Sequence, residues 1–278
     1  VFQDSYGNII VRRNGKSPEQ TPIAFVAHMD HPGLEAFERN GDVVFARPLG
    51  GVPEACFSER IPVQIVQPDG RRLNAETTGS DEERIISLRL QDASIVNFPR
   101  PVIVDVTDFS FDGEMIHMRA LDDLGGCAAI LAAITRLASE QPPGDVYGVF
   151  TRAEEIGLIG ARLLAQEQVL PSETLIVSVE ASRSLAGSPI GQGPVIRVGD
   201  ASYTFDADAE SVLLKARDQL VADQPEIKVQ RQLMSGGTCE ASAFSFYGYH
   251  ATGIALPLGN YHNTGPRDTV AAEYIHLN

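Results

Sequence analysis

Two histidines and several carboxylates recur just past the ends of apolar, strand-like runs in this 278-residue chain. His28 and Asp30 follow the run at 23–27, Glu154 and Glu155 the run at 146–150, Glu180 the run at 175–179, and His262 the run at 252–258. Asp122 and Asp123 stand at the start of a helical segment. Side chains at the carboxyl ends of sheet strands converge on one crevice. Imidazoles and carboxylates without a thiolate suit a hydrolytic zinc, cobalt or manganese centre better than a structural zinc site. Taken singly, the same residues have plainer readings. Asp122-Asp123 also reads as a helix N-cap, Glu154-Glu155 as a solvated pair opening a helix, and each histidine as a locally bonded side chain. Their shared position at one sheet edge favours a common chemical role.

The elements needed to carry them read as an α/β domain. Residues 23–27 are continuously apolar, the mark of a strand buried on both faces. A hairpin over residues 2–12 turns at Tyr6-Gly7-Asn8. Leu124, Cys127, Ile130, Leu131, Ile134 and Leu137 recur at helical spacing and predict a helix over 126–139. Helices over 157–168 and 210–220 alternate with strands at 146–150, 175–179 and 252–258. That alternation indicates a mixed, largely parallel central sheet flanked by helices. From 43 to 116 the texture changes, and turn residues separate short alternating strands at 61–66, 84–90 and 102–106. This predicts a small inserted all-β, barrel-like domain, with 1–42 and 117–278 forming the catalytic α/β domain. Residues 244–247 lead into the strand at 252–258.

Composition narrows the function classes. The 37 acids against 22 bases give a net charge of −15 with 43% hydrophobic residues. A surface so acidic speaks against holding nucleic acid and against docking on an anionic membrane. Three widely spaced cysteines, Cys56, Cys127 and Cys239, with no C-x-x-C, speak against a disulfide framework and fit a reducing, cytoplasmic setting. No apolar run approaches the roughly 18 residues of a membrane helix. The chain opens at Val1 in strand-like sequence without a signal peptide, so a preceding element is expected.

The motifs then resemble one family throughout the chain. Val-Ala-His28-Met29-Asp30, Ala120-Leu121-Asp122-Asp123, T-R-A-E-E-I-G at 151–157, Glu180 and Tyr261-His262-Asn263 occur in the order and spacing of the dinuclear metalloaminopeptidases of the glutamyl, deblocking and tetrahedral aminopeptidase family. Leu49-Gly50-Gly51 resembles that family's entry into its β-insertion, and Gly236-Gly237-Thr238 its glycine-rich loop. Three departures stand out: Glu180 where the family usually has Asp, Leu124 where an Arg commonly follows the Asp pair, and Cys239-Glu240 in place of an Asp-Ala type pair.

The resemblance implies two divalent metal ions per subunit, zinc with cobalt or manganese as alternatives. Asp122 would bridge them, His28 and Glu180 would complete one site, and Glu155 and His262 the other. Glu154 would be the general base, and Asp30 would hydrogen-bond the far nitrogen of His28 and fix its tautomer. His31 reads as a supporting or solvent-facing residue. The implied activity is hydrolysis of N-terminal peptide bonds by a homo-oligomer, often a dodecamer, with no nucleic-acid or membrane partner. The competing expectations are a related dinuclear amide hydrolase, such as a carboxypeptidase or N-acyl-amino-acid deacylase, and a degenerate non-catalytic homologue.

Overall fold

A computed structural model of the chain describes residues 1–91 and 96–277. The chain begins with strands β1 (Phe2–Gln3), β2 (Ile9–Arg13) and β3 (Ile23–His28). Six strands follow: β4 (Gly33–Asn40), β5 (Val43–Leu49), β6 (Glu59–Val66), β7 (Arg72–Ser80), β8 (Ile86–Leu90) and β9 (Arg100–Val104). They close into a barrel in the order β4-β5-β8-β7-β6-β9. Inward residues alternate along each strand, and Leu34, Ala36, Val44, Ile65, Leu88 and Val102 fill the interior. Burying one such Leu or Ile contributes about 1.5–3 kcal/mol.

The barrel therefore starts at Gly33, ahead of the boundary expected at 43. The alternation of Leu34 and Ala36 is interrupted by a register shift between Ala36 and Glu38, which breaks the period-two signal that would mark β4. The hairpin of β10 (Phe109–Asp112) and β11 (Met115–Met118) also lies apart from the barrel. It pairs through β11 with the last strand, β17 (Glu273–His276).

Between β11 and β17 run α1 (Leu121–Leu137), β12 (Val146–Thr151), α2 (Ile159–Gln166), β13 (Leu175–Arg183), β14 (Val195–Arg197), α3 (Ala207–Asp223), β15 (Gln230–Gln232), α4 (Glu240–Phe246) and β16 (Ala251–Leu258). The main sheet has eight strands in the order β1-β2-β12-β3-β13-β16-β14-β15. Its centre, β12-β3-β13-β16, is parallel, and antiparallel pairings flank it at β2 and β14. Helices α2 and α4 cover one face, where Ala24, Val26, Val149, Leu164, Ile176 and Phe244 pack together. Helices α1 and α3 cover the other, with Cys127, Ile130, Val177 and Leu213.

Helix α4 was not predicted, since seven residues are too few for an apolar stripe to declare its period. The acids in the first turn of α1 divide their work. Asp122 and Asp123 have non-helical backbone angles, and the Asp123 carboxylate accepts from Gly126 N at 3.1 Å, as an N-cap does. No described helix is long and apolar enough to cross a membrane.

Candidate active site

The carboxyl ends of β3, β12 and β13 meet the start of α1 and the turn after β16. On this edge His28, Asp122 and Glu180 offer ligand atoms within 4.8 Å of one another, as do Asp122, Glu155 and His262, and also His28, Glu154 and Glu155. His28 Nε2 lies 3.1 Å from Asp122 Oδ1 and 3.9 Å from Glu154 Oε2. His262 Nε2 lies 3.2 Å from Glu155 Oε2 and 3.6 Å from Asp122 Oδ2. All six side chains are buried or nearly so. Parallel pairing explains the convergence, because Thr151 at the end of β12 is in register with His28 at the end of β3.

Hydrogen bonds from the surrounding chain aim these groups. His28 Nδ1 bonds the backbone carbonyl of Asp30 at 3.0 Å, so Nε2 faces the cluster. Here the structure differs from the expected carboxylate contact. Asp30 Oδ1 stands 3.8 Å from the ring, beyond hydrogen-bond reach. Past the strand end the chain turns, and the Asp30 carboxylate instead accepts from the backbone N–H groups of Glu154 (3.0 Å) and Glu155 (3.1 Å). His262 Nδ1 bonds Gly51 O at 2.9 Å, and Tyr261 stacks on its ring at 3.7 Å. A side chain at Gly51 would put its Cβ 2.7 Å from His262 Nδ1, so the loop after β5 leaves room for that imidazole.

Three further residues support the cluster, and two of them, Glu273 and Glu240, had no role assigned from sequence. Glu273, on β17, accepts from Asp122 N (3.0 Å) and His262 N (2.8 Å), tying the two sides of the cluster together. Burial pushes its carboxyl up to about 9, with Asp122 adding to the shift. His31 bonds Asp122 O at 2.7 Å and Asn263 Oδ1 at 3.0 Å, which resolves its two readings in favour of support. Glu240, fully buried on α4, accepts hydroxyl bonds from Thr151 and Ser178. Nothing in the local sequence marks Glu240 or Glu273 as facing the cluster.

The electrostatics are those of a cation site. Burial raises the Glu154 and Glu180 carboxyls well above their usual range, and neighbouring carboxylates add to the shift. Burial works against a charged His28, yet its bond to Asp122 and the surrounding acids outweigh it and raise the imidazole well above its ordinary value. Among the described residues, Glu155 Oε1, Glu180 Oε2 and His262 Nε2 are buried without a hydrogen-bond partner. Orphaned buried acceptors of this kind are costly unless something positive meets them. The donor set of imidazole nitrogen and carboxylate oxygen fits a hydrolytic divalent ion. A cavity of about 540 Å³ lies elsewhere, at the opposite ends of the central strands, lined by Ile23, Val146 and Leu175 and by none of these residues. Open α/β sheets place chemistry at the carboxyl edge, and the charged crevice lies at that edge.

Comparison with known proteins agrees with this architecture. The model of the M42 glutamyl aminopeptidase family matches residues 91–271, well over half of the chain. The chain belongs to that family and is a peptide hydrolase. A curated relative from Acetivibrio thermocellus, named "Putative aminopeptidase", is 26% identical over 289 residues, spanning 98% of this chain and 80% of that protein. The solved TET1 peptidase of Pyrococcus horikoshii, described as able to assemble into a tetrahedron or a large octahedral shell, is 25% identical with a TM-score of 0.79, covering 100% of this chain and 84% of that one. The structure of PhTET1-12s, described as a dodecamer, gives a TM-score of 0.78 at 25% identity over the same shares.

Proposed function

We propose that this peptide hydrolase is a metal-dependent aminopeptidase that removes N-terminal residues from peptides at a dinuclear divalent metal centre, with zinc the preferred ion and cobalt or manganese able to substitute. In this reading His28, Asp122 and Glu180 hold one ion and Asp122, Glu155 and His262 the other. The observation that carries it is that Asp122 belongs to both donor groups, each completed by one histidine and one further carboxylate. The third group, His28 with Glu154 and Glu155, then spans both positions and leaves Glu154 as the carboxylate without a ligand role. Bound divalent ions at such a centre polarise the scissile carbonyl and acidify water.

Glu154 takes the proton from the attacking water and returns it to the leaving amine, work worth roughly 10²–10⁴-fold. Asp30 positions this base by holding the backbone of Glu154 and Glu155. The barrel strands, from Gly33 in β4 to Val104 in β9, form the inserted domain of this reading, set against the site through Gly50 and Gly51. The assemblies described for the TET1 structures support a homo-oligomer, a dodecamer by the same analogy. Three buried, unbridged cysteines support a reducing, cytoplasmic setting.

The test is metal analysis of freshly purified protein together with a panel of aminoacyl and N-acyl substrates. About two ions per chain with release of free N-terminal residues is the expected result. Metal with turnover only of N-acyl substrates overturns the substrate assignment, and protein without bound metal overturns the centre.

A further inference from the structure

We propose that Glu240 is a positioning residue for the metal centre, a single buried carboxylate that ties the strand leading to Glu154 and Glu155 to the strand carrying Glu180, across the strand carrying His28. The inference rests on the metal-centre reading above. Glu240 opens α4 and has no solvent exposure. Its Oε1 accepts from Thr151 Oγ1 at 3.1 Å, and its Oε2 accepts from Ser178 Oγ at 3.0 Å. Thr151 ends β12, three residues before Glu154. Ser178 lies in β13 two residues before Glu180, and therefore on the same face of that strand.

The sheet order β12-β3-β13 places β3 between the two hydroxyls. Thr151 is the register partner of His28, and Ser178 that of Val26. One carboxylate thus spans the three adjacent strands that deliver His28, the Glu154-Glu155 pair and Glu180. Glu240 belongs to none of the three donor groups, so it acts on the centre through the strands. A buried carboxylate is expensive unless its oxygens are satisfied, and here each oxygen has its own hydroxyl donor. Residues that orient ligands from behind typically change metal affinity by about 10–100-fold when removed.

The experiment is calorimetric titration of Co²⁺ into the metal-free protein, with the visible spectrum of the cobalt form as a second readout. Glu240→Ala is expected to weaken cobalt binding by about 10–100-fold and to change the visible bands. Glu240→Gln retains a hydrogen-bonding group at each end and is expected to stay close to the parent in both readouts. Thr151→Val and Ser178→Ala each cut one tie and weaken binding in the same direction, which keeps the test decisive if Glu240→Ala does not fold. Parental affinity and spectrum in folded Glu240→Ala, or in both single-tie variants, overturns the inference. So does a Gln variant as weak as the Ala variant, because charge and not the tie would then matter. A parent protein that binds no cobalt removes the metal-centre reading itself and this inference with it.

Discussion

The barrel and the carboxyl edge of the main sheet are both buried, in opposite chemical company. Inside the barrel, Leu34, Val44, Val63, Ile65, Ile86, Leu88 and Val102 meet one another and little else. At the sheet edge, Asp122, Asp123, Glu180, Glu240 and Glu273 are 9% exposed or less and lie close together. Apolar burial is non-directional and roughly proportional to area, so the barrel tolerates apolar residues of about the same volume. Buried carboxylates destabilise the fold unless each is met by donors or cations. The edge is therefore built by hydrogen bonds: Glu273 to the backbone of Asp122 and His262, Asp30 to that of Glu154 and Glu155, Asp123 to that of Gly126 and Ala181. The result is a division of labour in which the barrel supplies stability and the edge holds charge in place for chemistry.

Breaking one side of that division should leave the other standing. The largest effect is expected at the edge. Glu154→Gln should lower kcat by at least roughly 10²–10⁴-fold while metal content and thermal midpoint stay at the parental level, read by steady-state kinetics beside metal analysis. An active Gln variant would remove Glu154 from its role. In the barrel, Leu88→Ala leaves a cavity in a fully buried position and should cost about 2–5 kcal/mol in denaturant unfolding. Turnover by the folded fraction should be unchanged, and a lowered kcat there would contradict the separation.

The contact between the two regions sharpens it further. Gly51→Ala drives a methyl group into His262, and metal affinity should fall by about 10–100-fold with little loss of stability. At the smallest end, Arg71→Ala removes an ion pair with Asp69 at 2.6 Å, where the arginine side chain is 77% exposed. The melting curve should overlay the parental one, since exposed pairs are weak.

Much of the molecule was legible in the sequence because its signals are local. The continuous apolar run before His28 declares a strand buried on both faces, and β3 lies in the parallel centre of the sheet. The stripe from Leu124 to Leu137 declares α1, and polar residues after successive strands declare a crevice. The residue types there, two imidazoles among carboxylates, already name a kind of chemistry. Contacts that depend on geometry beyond a few residues were not legible. Whether Asp30 meets the His28 ring with its carbonyl or its carboxylate depends on how the chain turns after β3. Glu273 reaches Asp122 across 151 positions of sequence, and Glu240 reaches Thr151 across 89, so no periodicity marks either one. Periodicity reports which face a side chain takes on its own element. Tertiary packing alone decides which distant element meets that face, and so it decided how the carboxylates of this site are held.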